Sequence, residues 1–360
     1  MNRNAKIYIA GHTGLAGSAL FRYLIKDGFN NVIFKDHNEL DLTNQKSTLS
    51  FFETEKPEYV FLAAAKVGGI LANNTYKAEF IYTNIQIQTN VIHASYLTSV
   101  KKLLFLGSSC IYPKNVKLPI KEESLLTGEF ESTNAPYALA KTLGVKMCEY
   151  YFQQYACNFI TLMPCNLFGP NDNYNFESSH VFAALIRKIF LAKCLENNDW
   201  KLIHKDLAKH SASEIENIIS NEDIIDFLSK QGIRKNDNEV VLTLWGNGEP
   251  CREFLHSDDL AEICVNIMKT VDAKQLFEKY NLLHINVGTG KSLKIKELAE
   301  IIKKIAGFHG CFSYNNNNLN GFYDRELSLD KLNDIANYKP FALSKRIGDV
   351  FMEYKNSYEL

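Results

Sequence analysis

Strand-like and helix-like segments alternate through the first 106 residues, and this rhythm constrains the fold more than any other feature of the chain. Residues 6–10 (KIYIA) form a short β-rich run that ends directly in a glycine turn, with Gly11, Gly14 and Gly17 spaced G-x-x-G-x-x-G. A helical pattern follows, placing Leu15, Ala19, Leu20, Tyr23 and Leu24 on one face. Further β-rich runs occupy 31–35, 59–64 and 102–106, with helical stretches at 46–55 and 78–99 between them. This pattern predicts an α/β fold, a Rossmann-type doubly wound parallel sheet covered by helices on both faces. The first domain is expected over 1–165, with a returning segment near 250–285. Residues 166–249 and 286–360 read as a smaller mixed α/β substrate-binding lobe.

A strand that turns straight into a helix aims the helix N-terminal N–H groups at whatever lies over the turn. Glycine lets the backbone approach a diphosphate there without a Cβ clash. In the order strand, turn, helix, strand, the motif points to a dinucleotide. A second glycine motif at 287–292 (VGTGKS) resembles the end of a phosphate-binding P-loop, but that motif needs glycine five positions before Gly290 and the chain has Ile285. It reads as a strand-to-helix turn with Ser292 as a cap.

The net charge of −1 gives no general attraction to nucleic acid or to an anionic membrane. An anionic ligand must be held by locally placed cations or N–H groups. There is no apolar leader after Met1 and no run long enough to span a bilayer. The eight cysteines are scattered with no C-x-x-C pair, which predicts reduced thiols in a cytoplasmic protein and no metal site.

Tyr137 and Lys141 stand at i and i+4 of a helical stretch, about 6 Å apart along its axis and on one face. A phenol titrates near about 10, and an adjacent ammonium is expected to lower that value. The same lysine can hydrogen-bond a nicotinamide ribose. About thirty residues earlier, the run 102–106 ends in Gly107-Ser108-Ser109-Cys110. The carboxyl ends of parallel strands are where such sheets bind ligands, and a serine hydroxyl there can support negative charge growing on a carbonyl oxygen. Ser108, Tyr137 and Lys141 together resemble the catalytic set of the short-chain dehydrogenase/reductases, in the extended branch that acts on nucleotide-linked sugars.

Longer stretches resemble the GDP-L-fucose synthase family, the GDP-4-keto-6-deoxymannose 3,5-epimerase-4-reductases. They are residues 10–20 (AGHTGLAGSAL), 63–77 (AAAKVGGILANNTYK), 104–114 (LFLGSSCIYPK), 136–142 (PYALAKT) and 163–174 (MPCNLFGPNDNY), continued by 252–260 (REFLHSDDL) and 284–291 (HINVGTGK). The likeness covers nearly the whole chain except about 40 residues near 196–240. It implies that Ser108, Tyr137 and Lys141 reduce a ketone, and that Cys110 and His180 are the base and acid that invert C3 and C5. A 4-keto group acidifies the hydrogens on both neighbouring carbons, so a base on one face and an acid on the other suffice.

For the coenzyme, the resemblance implies Gly11, Thr13, Gly14, Leu15, Ala16, Gly17, Lys35, Asp36, Asp41, Leu42, Ala63, Ala64, Ala65, Tyr137, Lys141, Pro164, Asn166, Leu167 and His180. For the sugar nucleotide it implies Ser108, Ser109, Cys110, Asn166, Arg187, Trp245, Arg252 and Arg325, the arginines meeting the diphosphate. The expected substrate is a GDP-linked 4-keto-6-deoxy sugar and the expected assembly a homodimer, built on the helices at 78–99 and 137–151.

Three departures from the family pattern stand out. Thr13 replaces an arginine that helps hold the 2′-phosphate of NADP, and 35–37 reads Lys-Asp-His, so NADPH is the first expectation while Asp36 leaves NADH open. The family's G-x-P-R-K run becomes 321–328 (GFYDRELS), keeping Arg325 but placing Asp324 where the family has a cation. The insertion near 196–240 carries helical runs at 213–220 and 223–231, as a lid, an oligomer contact or a solvated excursion. A C4 reductase without epimerase activity, on a related hexose or heptose, is the alternative. A non-catalytic NADP or nucleotide-sugar sensor is the alternative of another class, and the intact Ser108, Tyr137 and Lys141 argue against it.

Overall fold

A computed structural model of the chain describes residues 1–211, 220–236, 239–315, 324–336, 338 and 341–358. They fall into two compact units. The first comprises Met1–Asn171, Glu253–Lys291 and Glu326–Pro340; the second comprises Asp172–Arg252, Ser292–Arg325 and Phe341–Leu360. Segment 326–340, assigned from sequence to the substrate lobe, therefore belongs to the first unit. Long-range contacts hold it there, among them the bridge between Ile120 and Leu327.

The first unit is built on a six-stranded parallel sheet. In spatial order its strands are His284–Val287, Phe159–Pro164, Lys102–Leu106, Tyr59–Leu62, Ile7–Ala10 and Val32–Ile33. Their residues are almost all buried, as expected where helices cover both faces. Strand order reverses between Ile7–Ala10 and Tyr59–Leu62, and the crevice at such a reversal is the usual ligand site of an open α/β sheet. Helix Leu15–Lys26 leaves the glycine turn at once. A Cβ at Gly17 would lie 2.0 Å from the Gly11 carbonyl, and one at Gly11 would lie 2.7 Å from the Ala64 backbone. Glycine is required at both positions for the helix and the neighbouring strand end to come this close.

Helix Ala135–Tyr155 starts with Pro136 in its first turn, where a missing N–H costs nothing, and stops at Ala156 in the left-handed conformation. It lies so near strand Lys102–Leu106 that a Cβ at Gly144 would sit 2.5 Å from the Phe105 ring. Helix Ser257–Thr270 ends on Lys102, whose buried ammonium donates to the carbonyls of Ile267 at 2.8 Å and Met268 at 2.9 Å and so caps it.

In the second unit, strand Val240–Trp245 pairs antiparallel with Ile233–Lys235 and parallel with Cys311–Asn315. Helices Val181–Glu196, Trp200–His210, Asn221–Lys230, Ile295–Ala306 and Leu343–Asn356 complete it. Two of them fall in the insertion. Asn221–Lys230 opens with a capping box in which Ser220 and Asp223 satisfy each other's backbone N–H. The run expected at 213–220 lies almost wholly outside the described residues. Among the described residues no helix is long and apolar enough to cross a membrane, and no cluster of potential ligands could hold a metal ion.

Candidate active site

Leu106 ends its strand at the carboxyl edge of the sheet, and the chain turns through Gly107 and Ser108 into the 3₁₀ turn Ser109–Ile111. The Ser108 hydroxyl oxygen accepts the Cys110 N–H at 3.4 Å, capping the turn, and its O–H remains available as a donor. Two residues on, the buried Tyr112 hydroxyl donates to Asn286 at 2.6 Å and anchors the loop.

Tyr137 and Lys141 stand one helical turn apart, as their spacing predicts. The buried Lys141 ammonium donates to the Leu106 carbonyl at 2.7 Å, lies 4.6 Å from the Phe105 ring centroid and 5.8 Å from that of Tyr137. Burial pulls its pKa down to about 8, opposed by the Cys110 thiol. The expected lowering of the Tyr137 pKa is not found. Burial pushes the phenol up, and the charge of a nearby Cys110 thiolate pushes the same way. The lysine faces the ring and a carbonyl, so desolvation wins over charge attraction. Ser108, Cys110, Tyr137 and Lys141 thus form one cluster at the end of strand Lys102–Leu106.

In the glycine turn, Gly11 and Gly17 leave no room for a Cβ against the Ala64 backbone and the Gly11 carbonyl. Around it lie the exposed Thr13 and Gly14 and the half-buried Leu15, Ala16, Ala63, Ala64 and Ala65. At the end of the second strand, Lys35 pairs with Glu39 at 2.9 Å and Asp36 lies 3.3 Å from His12. The His12 ring stacks on Phe34 with centroids 4.3 Å apart. Asp41 accepts the Thr43 N–H and hydroxyl, which hold its pKa down, and the Leu42 carbonyl accepts Asn90. Pro164 closes strand Phe159–Pro164; Asn166 and Leu167 follow in strand Asn166–Phe168, which pairs with 254–256.

In the second unit, His180 is the N-cap residue of helix Val181–Glu196, its carbonyl accepting the Ala184 N–H at 2.9 Å. The imidazole is accessible to solvent yet closely surrounded by protein, and this desolvation lowers its pKa. Loop 173–179 is laced by Asn173 and Asn175, whose side chains accept the N–H groups of Asn175, Glu177 and Ser178.

The role expected of Arg187 needs correction. Its guanidinium is fully buried, donating to Asp206 at 2.8 Å, the Tyr174 carbonyl at 3.0 Å and Ser211 at 3.0 Å, with Phe176 beneath it at 3.8 Å. It is an internal strut and has no open face for a diphosphate. The cation beside the exposed Trp245 is the next residue, Lys188, whose ammonium lies 5.5 Å from the indole and whose pKa burial lowers to about 8. Lys188 follows His180 by eight positions, about two helical turns. Arg252 is half-buried and donates to the Cys251 carbonyl at 2.7 Å; Arg325 is buried, and the Cys251 thiol hydrogen-bonds Asp324. Residues 321–323 of the altered run lie outside the described residues.

The NAD dependent epimerase/dehydratase family model matches residues 7–206 and 218–283. GDP-L-fucose synthase 1 of Arabidopsis thaliana is 46% identical over 310 residues, 86% of this chain and 80% of that protein. Among solved structures, a GDP-6-OMe-4-keto-L-xylo-heptose reductase from C. jejuni is 41% identical with a TM-score of 0.92, covering 99% of each chain. A GDP-mannoheptose C4 reductase from Campylobacter jejuni with NADP bound is 42% identical with a TM-score of 0.85, again covering 99% of each chain.

Proposed function

The chain belongs to the GDP-L-fucose synthase family, within the NAD dependent epimerase/dehydratases, and we propose on that footing that it reduces the C4 ketone of a GDP-linked 4-keto-6-deoxy sugar with NADPH after inverting C3 and C5. The cluster of Ser108, Cys110, Tyr137 and Lys141 at one strand end carries this reading. When bound, the reduced nicotinamide supplies the hydride that C4 receives. The N–H groups of the glycine turn would hold its diphosphate, and Lys141 its ribose.

The chain's own residues manage the protons. Because burial raises the Tyr137 pKa, the phenol is fully protonated at neutral pH, as a donor to a new alkoxide must be. The Lys141 ammonium stays charged below about 8 and stabilises negative charge nearby. The Ser108 O–H donates to the ketone oxygen. Cys110 adjoins this group and exchanges protons at the carbons flanking the ketone. His180, whose pKa burial lowers, is the complementary acid–base group. In D2O the product should carry deuterium at C3 and C5. Deuterium at neither carbon removes the epimerase role.

A second reading, C4 reduction alone on a related heptose, is favoured by Asp324. That carboxylate stands where the family places a cation, and the Cys251 thiol holds it. Two GDP-heptose reductases from Campylobacter are similar over nearly all of this chain. The same D2O experiment separates the two readings.

We also propose a homodimer. Helices Lys77–Leu97 and Ala135–Tyr155 pack on each other and expose Tyr82, Leu97, Leu139, Leu143, Tyr150 and Tyr155. Apolar surface of this extent on adjacent helices suits a partner helix pair.

A further inference from the structure

The glycine turn at 287–290, which resembles a phosphate loop without completing one, has an occupant supplied by the chain itself. The Glu253 side chain is 1% exposed and enters the turn from strand Cys251–His256. Its Oε1 accepts the N–H groups of Thr289 and, at 2.6 Å, of Gly290; its Oε2 accepts the Leu327 N–H at 3.0 Å. Successive N–H groups converging around a left-handed residue, here Gly290 at φ +66°, form an anion-binding nest. A Cβ at Gly288 would lie 2.1 Å from Oε1, so glycine there is imposed by the carboxylate. The Glu253 carbonyl also accepts the Asn166 side-chain N–H at 3.1 Å.

Leu327 opens a strap that is fixed on its other side as well. Ile120 donates to the Glu326 carbonyl at 2.7 Å and accepts the Ser328 N–H at 2.8 Å. Asn286 donates to the Ile120 carbonyl at 2.9 Å. One buried carboxylate therefore joins three segments that are distant in sequence. Arg252 directly precedes Glu253, and Arg325 lies two residues before Leu327. With Arg187 internal, these two remain of the three arginines expected at the diphosphate.

We infer that Glu253 is a positioning residue for sugar-nucleotide binding, fixing where Arg252 and Arg325 stand through its three N–H contacts. The inference rests on the proposed GDP-sugar reading. It assigns Glu253 no contact with substrate and no proton transfer.

The test compares wild type with Glu253→Gln and Gly288→Ala in the full chain, measuring kcat and KM with a GDP-linked 4-keto-6-deoxy sugar, GDP affinity by calorimetry and NADPH affinity. A glutamine has one acceptor oxygen, so an N–H must face its NH2; an added methyl at 288 displaces the same carboxylate by sterics alone. Both variants should raise KM and weaken GDP binding by about ten-fold or more, the worth of a hydrogen bond to a charged group. NADPH affinity should stay within about two-fold in both, a difference of less than 1 kcal/mol. The inference is overturned if both variants only melt at lower temperature with KM unchanged, if NADPH binding weakens in parallel, or if neither folds. If the wild type neither turns over the sugar nor binds GDP, the functional reading itself fails and the inference falls with it.

Discussion

Tyr137 and Lys141 occupy the same low-dielectric site, and burial acts on them in opposite directions. It keeps the phenol protonated and pulls the ammonium toward neutrality, down to about 8. Tyr137→Phe should lower kcat by about 10²-fold or more while leaving NADPH affinity unchanged, since only the proton donor is lost. Unchanged turnover would contradict the assignment. With its pKa near 8, Lys141 loses its charge as pH rises through that value, so kcat/KM should descend across pH 8. A profile flat to pH 9.5 would contradict the role of the charged lysine. The pair itself was legible in the sequence because i and i+4 spacing dictates one helix face. The direction of the tyrosine shift was not, because it depends on where the ammonium points and how much water both groups lose. Arg187 and Lys188 illustrate the same limit. Their helix is apolar on nearly every side, so periodicity does not tell which cation is drawn inward.

At the level of elements, the Arg187–Asp206 pair joins helix Val181–Glu196 to helix Trp200–His210 of the insertion. Asp206 also accepts hydrogen bonds from Tyr354 and Tyr358 at the C-terminal helix. Three elements thus meet on one buried carboxylate, and the first part of the insertion is fastened into the core of its unit. Arg187→Ala should destabilise the protein by about 3–5 kcal/mol, the usual cost of stranding a buried charge. Thermal or denaturant unfolding would show it, and an unchanged midpoint would contradict the strut. From sequence the insertion could be a lid, an oligomer contact or a solvated excursion, yet its Asp206 pairs with groups 19 and 148 positions away. Such pairings leave no local pattern.

For the whole molecule, strand–helix alternation was enough to specify the parallel sheet, since right-handed crossovers leave few alternatives. The place of segment 326–340 was not legible, because Leu327 is recruited to the first unit by Glu253 and Ile120 across long sequence separations. The exposed aromatic and aliphatic faces of helices Lys77–Leu97 and Ala135–Tyr155 predict a dimer of the 41.0 kDa chain. Tyr82→Glu combined with Tyr150→Glu should halve the mass seen by light scattering, and an unaltered mass would contradict that interface. The proposed reaction is hydride delivery to a sugar ketone with Tyr137 supplying the proton. It is tested with NADPH carrying deuterium at both C4 positions of the nicotinamide and a GDP-linked 4-keto-6-deoxy sugar, reading the product by mass spectrometry and NMR. One deuterium should appear at sugar C4 for each NADPH oxidised, and labelled product should form about 10²-fold more slowly in Tyr137→Phe. NADPH consumption without label at C4, or labelled product forming at the wild-type rate in that variant, would contradict it.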